Sequence, residues 1–250
     1  MSAAAQALTG VDGLAADLTG ATPQEIIARA YADYGQGLAL VSSFGTESAV
    51  LLHMAAQIDP AFPVLFLNTG KLFGETLRYR DTLVAHLGLT NVRTLKPDAA
   101  PLAVEDADGM LFSRDYDRCC FLRKVEPLAA GLAGYAAWIN GRKGHHGSGR
   151  SALPVVEADG DRIKFTPLAR WTAEDVTAYF GAHSLPRHPL EEDGYPSVGC
   201  YTCTSRVATG GDIRSGRWAG TGKTECGIHT VLSSAIPTPS QTRSPVAVQD

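Results

Sequence analysis

Short runs that are apolar throughout alternate with amphipathic stretches along the first two thirds of the chain. Thr22-Pro23-Gln24-Glu25 has capping-box spacing with proline at the first helical position. Ile26, Ile27 and Ala30 give the helix that follows an apolar face, and Gly35 is its stop. Strands are predicted over Leu38–Val41, Pro63–Leu67 and Asn91–Leu95, separated by helices over Thr46–Gln57 and Phe73–Leu87. Continuous apolar runs are what strands show when helices cover both faces of a parallel sheet. Two later strand candidates, Tyr135–Ile139 and Ile163–Phe165, flank a basic segment without helical pattern, and Thr172-Ala173-Glu174-Asp175 opens a helix to about His183. The order reads as an α/β chain with an open, doubly wound, mostly parallel sheet.

The ends lack this punctuation. Residues 1–21, rich in Ala, Gly and Leu, are expected to be a flexible segment or a marginal helix. Residues 22–230 are expected to form one domain, in which Pro186–Thr224 supplies an irregular C-terminal layer rich in Gly, Pro, Arg and Ser. Residues 231–250, rich in Ser, Thr and Pro, are expected to be disordered. No internal repeat is visible.

Composition narrows the function classes. With 250 residues, 44% hydrophobic and 19% charged, the chain has material for a real core. A formal net charge of −4 argues against a duplex nucleic-acid partner. No apolar run approaches the roughly 18–20 residues of a membrane span. The first basic residue is Arg29, so no secretory leader is expected and a cytoplasmic location is.

Candidate chemistry begins at the strand-to-helix turns. Ser42-Ser43-Phe44-Gly45-Thr46-Glu47-Ser48 follows the first strand, where small residues let backbone N–H groups approach an anion. It lacks the Walker ending, and it reads equally as an ordinary Ser/Gly turn with Thr46 as helix cap. Leu67-Asn68-Thr69-Gly70-Lys71 follows the next strand and would lie beside it, or it is a capped turn with a solvated lysine. Two polar turns side by side make a crevice suited to a nucleotide.

The five cysteines are Cys119, Cys120, Cys200, Cys203 and Cys226, two close pairs and one apart. Four soft thiolates select zinc or an iron–sulfur cluster. Adjacent cysteines hold one small tetrahedral ion awkwardly, whereas a cluster offers each a different iron. Buried free cysteines acting as small hydrophobes are the alternative. The isolated Cys226 suggests a nucleophile.

At Ser42–Ser48, Phe66–Leu77, Cys119-Cys120-Phe-Leu-Arg-Lys124-Val-Glu-Pro127, Trp138-Ile-Asn-Gly141 and Tyr195-Pro-Ser-Val-Gly-Cys200-Tyr-Thr-Cys203-Thr the chain resembles one family. The likeness continues through Asp212-Ile-Arg214-Ser-Gly-Arg217-Trp218 and Lys223-Thr-Glu-Cys226-Gly-Ile-His229. The family is that of assimilatory adenylyl-sulfate (APS) reductases, within the wider APS/PAPS reductase family, and the resemblance covers roughly residues 22–230. It implies an adenine-nucleotide α-hydrolase-like fold with a PP-loop. It implies the reaction of adenylyl sulfate with reduced thioredoxin, or a glutaredoxin-like donor, to sulfite and AMP. The cysteine set looks like that of the branch that prefers APS and holds one [4Fe–4S] cluster on Cys119, Cys120, Cys200 and Cys203. Two stretches depart from the family: Asn68 stands where Asp is usual, and the loop Arg142-Lys143-Gly144-His145-His146-Gly147-Ser148-Gly149-Arg150 replaces Arg-Arg-Asp/Glu-Gln-Ser.

Carried onto these positions, the resemblance makes Cys226 the catalytic nucleophile. Substrate contacts are expected from Ser42, Ser43, Phe44, Gly45, Ser48, Leu67, Thr69 and Gly70, and from the cations Lys124, Arg142, Arg150, Arg214 and Arg217. Lys223 and His229 could lower the Cys226 pKa and Glu225 raise it. Glu191, Glu192 and Asp193 read as a solvated acidic face. The rival readings are a PAPS reductase, an ATP-dependent PP-loop ligase or sulfurtransferase, and a zinc-stabilised binding module. Oligomeric state, a homo-oligomer included, is not legible in the pattern.

Overall fold

The computed structural model describes residues 3–145 and 153–229. Six strands form one sheet: β1 (Leu38–Ser42), β2 (Val64–Leu67), β3 (Val92–Leu95), β4 (Ala137–Ile139), β5 (Val156–Asp159) and β6 (Arg162–Phe165). Their order is β3-β2-β1-β4-β6-β5. All pairs are parallel except β5–β6, which is antiparallel. Chain order turns back on itself between β1 and β4, so the crevice beyond their carboxyl ends is the topological switch point.

The continuous apolar strands are explained by two cores. Leu38 and Leu40 of β1 join Phe66, Ile139 and Phe165 on one face, while Ala39 and Val41 join Leu65, Leu67 and Trp138 on the other. On the first face lie α2 (Pro23–Tyr34), α3 (Ser48–Ile58), α4 (Gly74–Leu87) and α9 (Ala173–Ala182). The Thr22–Glu25 capping box is present at the start of α2. The N-terminal segment, expected to be flexible or a marginal helix, holds a helix, α1 (Ala3–Asp17), and Leu14 and Leu18 join the core.

The structure differs from the sequence pattern in three places. Residues 96–134, where the pattern predicts no element, hold α5 (Ala99–Glu105), α6 (Leu111–Arg114), α7 (Tyr116–Cys120) and α8 (Glu126–Gly131), with a π-helical turn over Phe121–Val125. These pieces are too short to display a period. Strand β5 reads Val-Glu-Ala-Asp, and its acidic residues hide it because they are partners of buried groups. Helix α3 begins at Ser48, two residues late, because Thr46 does not cap it: its hydroxyl donates to the Pro196 carbonyl at 2.9 Å.

The irregular C-terminal layer is fastened to α4. Tyr79 donates to the Pro186 carbonyl at 2.8 Å. His188, fully buried against the Tyr79 ring, accepts the Leu190 N–H on Nδ1 at 3.2 Å, so its proton sits on Nε2 and is donated to Thr76 at 3.1 Å. Accepting on Nδ1 needs the neutral ring. Burial pushes His188 down to about 4, against the weaker opposing pull of Glu75. Glu191, read above as solvated, is half-buried on Arg187 at 2.8 Å, and burial raises its carboxyl.

A histidine held neutral in the fold binds protons in the unfolded chain first, so stability should fall as pH drops from about 6.5 toward 4. We expect His188 to contribute about 2 kcal/mol of loss between pH 7.5 and 5. Urea unfolding of His188→Gln should show that much less pH dependence than the parent; identical slopes would remove His188 as the cause.

Candidate active site

The switch point is a cleft of about 210 Å³, closed by three turns and the C-terminal layer. The turn after β1 is pinned from below. Ser42 Oγ accepts the Phe44 N–H at 3.1 Å, and Phe44 takes a left-handed φ of 50°. Its ring is fully buried edge-on to Phe66, with centroids 5.1 Å apart. The Phe44 ring therefore anchors the turn and stands outside the cleft lining. Ser42, Ser43, Gly45 and Ser48 do line it.

The second turn, after β2, is shaped by its own side chains. Asn68 Oδ1 accepts the Gly70 N–H at 3.0 Å, a role that Asn and Asp fill alike. Leu67 and Thr69 face the cleft, whereas Gly70 stands outside its lining. Gly70, at φ 72°, gives the turn its conformation, and a Cβ there would meet Arg123 Nη1 at 3.4 Å. Lys71, expected in solvent, is buried and donates to the Gly109 carbonyl at 2.7 Å.

The third turn follows β4. Asn140 donates to the Phe165 carbonyl and to Thr166, both at 2.9 Å, and accepts the Arg142 N–H at 3.0 Å. Arg142 lines the cleft, but its guanidinium is committed to Glu157 at 2.6 Å. Lys143, part of the basic loop but not among the expected substrate contacts, is buried on Glu47 at 2.8 Å. His145 meets the Trp171 carbonyl at 2.8 Å and stands outside the cleft lining. Arg150 and His146 lie outside the described residues.

Opposite these turns the cations converge. Lys124, Arg214 and Arg217 all line the cleft, as does Cys226. Each of the three also stands over Trp218, at 5.7, 6.0 and 4.6 Å from the ring centroid. Arg217 donates to the Val198 carbonyl at 3.0 Å and Arg214 to the Thr224 carbonyl at 3.1 Å, with Glu225 at 3.8 Å. Burial works against the Lys124 charge, yet the thiols of Cys200, Cys226 and Cys120 outweigh it and hold its pKa above the ordinary lysine value. Lys223, expected beside Cys226, instead pairs with Asp117 and lies over Tyr116 at 5.4 Å.

The two cysteine pairs meet beside this cation group. Cys119 and Cys120 end α7, both buried. Cys200 is buried and Cys203 half-buried on a short 3₁₀ turn, with Thr69 Oγ1 3.2 Å from Cys200 Sγ. Burial pushes Cys119 up to about 11, helped by Cys120 and Cys200, and burial also raises Cys120 against the pull of Lys124. Among the described residues, no three Cys, His, Asp or Glu donors stand close enough to share one ion. Four soft thiols on two neighbouring elements, beside a buried lysine and arginine, are the donor type that an iron–sulfur cluster takes.

Arg123 fixes the α7 end to the second turn. Its Nη1 donates to the Thr69 carbonyl at 2.8 Å, and its Nε and Nη2 both donate to Asp106. Asp106 Oδ1 accepts the Leu111 N–H at 2.7 Å. Burial works against the Asp106 charge, but Arg123 and that N–H prevail and keep the carboxyl below its usual range. A π-helical turn carries Arg123 and Lys124; such turns are frequent at functional sites.

Comparison with known proteins agrees with this geometry. Residues 37–206 match the phosphoadenosine phosphosulfate reductase domain. An adenosine 5'-phosphosulfate reductase of Mesorhizobium japonicum is 53% identical over 221 residues, 88% of this chain and 86% of that protein. A phosphoadenosine 5'-phosphosulfate reductase of Gloeobacter violaceus is 40% identical, over 88% of this chain and 94% of that one. Among solved structures, phosphoadenylyl-sulfate (PAPS) reductase from Candida auris superposes with a TM-score of 0.67 at 28% identity, over 79% of this chain and 96% of that chain.

Removing one partner of a buried ion pair strands the other, typically by about 3–5 kcal/mol. Asp106→Ala should therefore lose about that much unfolding free energy by denaturant titration. The exposed Arg114–Asp108 pair, at 2.5 Å, is the control: Asp108→Ala should move the midpoint far less. Equal effects would show that Arg123 does not need Asp106.

Proposed function

We infer that this chain, which belongs to the phosphoadenosine phosphosulfate reductase family, reduces adenylyl sulfate to sulfite and AMP in sulfate assimilation. The observation that carries the reading is the position of Cys226 on the cleft with Lys124, Arg214 and Arg217. A thiolate is the strongest sulfur nucleophile among side chains, and three cations more than offset the two negative charges of a sulfate joined to a phosphate. The turns after β1 and β4 receive the nucleotide at the switch point.

In the proposed mechanism Cys226 Sγ attacks the sulfuryl sulfur. The bond from that sulfur to the AMP phosphate oxygen breaks, AMP leaves with its electron pair, and the enzyme keeps an S-sulfocysteine. Lys124, Arg214 and Arg217 hold the sulfate oxygens and screen the approach of thiolate to anion. A thiolate of reduced thioredoxin then attacks Cys226 Sγ, and the S–S bond breaks to release sulfite. The second thioredoxin thiol resolves the mixed disulfide and restores Cys226. The dithiol supplies the two electrons and becomes a disulfide. Such chemistry needs a reducing compartment, in keeping with a cytoplasmic location. Among the described residues no helix is long and apolar enough to cross a membrane.

A [4Fe–4S] cluster would be held by Cys119, Cys120, Cys200 and Cys203. When bound it supplies fixed negative charge beside Lys124 and ties α7 to the C-terminal layer. The substrate reading favours APS over PAPS on a specific ground. Arg142 and Lys143, the described cations of the turn after β4, are held by Glu157 and Glu47, so a 3′-phosphate there would have to compete with both carboxylates.

The deciding assay is sulfite release from APS and PAPS side by side with reduced thioredoxin and no ATP. We expect kcat/KM for APS at least about tenfold higher at pH 8, or roughly 1.4 kcal/mol. Equal rates would refute the selectivity, and a requirement for ATP would favour a PP-loop ligase. Cys226→Ser should abolish sulfite release while AMP binding and iron content persist; turnover above a trace would overturn the nucleophile assignment. Serine at any one of Cys119, Cys120, Cys200 or Cys203 should lose iron and destabilise the C-terminal layer, because bound metal contributes folding free energy. Full iron retention in Cys120→Ser, or a colourless zinc protein, would contradict the cluster.

A further inference from the structure

Past Cys226 the chain is held by groups that take no part in the chemistry above. Ile228 packs on the core cluster that contains Leu65, Leu67 and Trp138. The His229 imidazole lies parallel to the Trp138 indole, with centroids 6.1 Å and planes 3° apart. The backbone carbonyl of His229 accepts a hydrogen bond from Nζ of Lys164 at 3.3 Å.

Lys164 is an unusual resident. It sits on β6, is 2% exposed, and stands outside the residues that line the cleft. A buried ammonium needs compensation for lost water. Glu157 Oε1 lies 3.1 Å from its Nζ, and the Trp138 ring is 5.5 Å away. Trp138 is itself fixed by donating its indole N–H to Asp159 at 2.9 Å. Every element of this arrangement belongs to the rigid sheet except the carbonyl at its end, which belongs to the segment that bears Cys226.

We propose that Lys164 is a positioning residue for Cys226: with Trp138 beside it, Lys164 forms a seat that grips the chain three residues beyond the thiol and holds the thiol on the cleft. Contacts of this kind, to a backbone carbonyl, a ring and an apolar side chain, can be released without breaking a covalent bond, as a thiol that must also meet a protein reductant requires. The role in turnover rests on the reading of Cys226 as nucleophile; the seat itself does not.

The test measures the seat without catalysis. The full-length protein, without substrate, is treated with iodoacetamide, and labelling of the Cys226 peptide is followed by mass spectrometry. Lys164→Met, similar in length but without donors, should label Cys226 about tenfold faster, equivalent to 1.4 kcal/mol of lost docking. Lys164→Arg, which keeps the donors, should stay near the parent rate. Ile228→Ala, altered on the segment alone, should also speed labelling, and it decides the matter if Lys164→Met does not fold. Unchanged Cys226 labelling in the variants overturns the proposal. So does a rise shared by Cys119, Cys120 and Cys200, which would report general loosening. In single turnover, Lys164→Met should slow AMP release from APS and leave thioredoxin-driven sulfite release from a preformed adduct at the parent rate. Equal slowing of both steps would contradict a positioning role. If the parent forms no adduct, the nucleophile reading fails, and the labelling result still stands or falls by itself.

Discussion

Lys124, Arg214 and Arg217 would repel one another in a cleft of this size, and much of the C-terminal layer is built to hold them together. One indole, that of Trp218, lies within 6.0 Å of all three. Carbonyls of Val198 and Thr224 accept from the two arginines. The sulfurs of Cys200, Cys226 and Cys120 hold the Lys124 pKa above the ordinary lysine value despite its burial. Each compensation is partial, so the site keeps a surplus of positive charge. A substrate anion completes it.

This constraint accounts for the architecture around it. The cations come from two remote stretches, the π-helical turn after α7 and the layer after Cys203, which must be brought to one place. Arg123 and Asp106 fasten the first stretch to the turn after β2. The bridge between Leu72 and Cys200, and the His188 contacts with α4, fasten the second. The sheet contributes position: β1 and β4 part at the switch point, and their turns leave a crevice open toward the cations.

The sheet and its first helices were legible because β1, β2 and β4 are buried on both faces, and continuous apolar runs report that burial directly. The helices between β3 and β4 were not, since pieces of four to seven residues show no period. Strand β5 was hidden by Glu157 and Asp159, whose partners Arg142, Lys164 and Trp138 lie elsewhere in the sequence. Within the site, Cys226, the serines after β1 and the three cations were readable from motifs. The burial of the Phe44 ring was not legible, because its left-handed backbone, which sends the ring into the core, leaves no mark in the sequence. The partners of Glu47, Lys143 and Trp218 were missed. Trp218 stands inside a motif already noticed, but nothing in a linear sequence says that three cations will share one ring.

The central claim is that Cys226 itself takes the sulfo group from the substrate. Mixing the protein with adenylyl sulfate in the absence of any thiol reductant, then digesting it for mass spectrometry, tests that claim directly. One SO₃ adduct is expected on the Cys226 peptide, with one AMP released per adduct and sulfite appearing only when reduced thioredoxin is added. AMP and sulfite released together before reductant is added, or an adduct on any other cysteine, would contradict it.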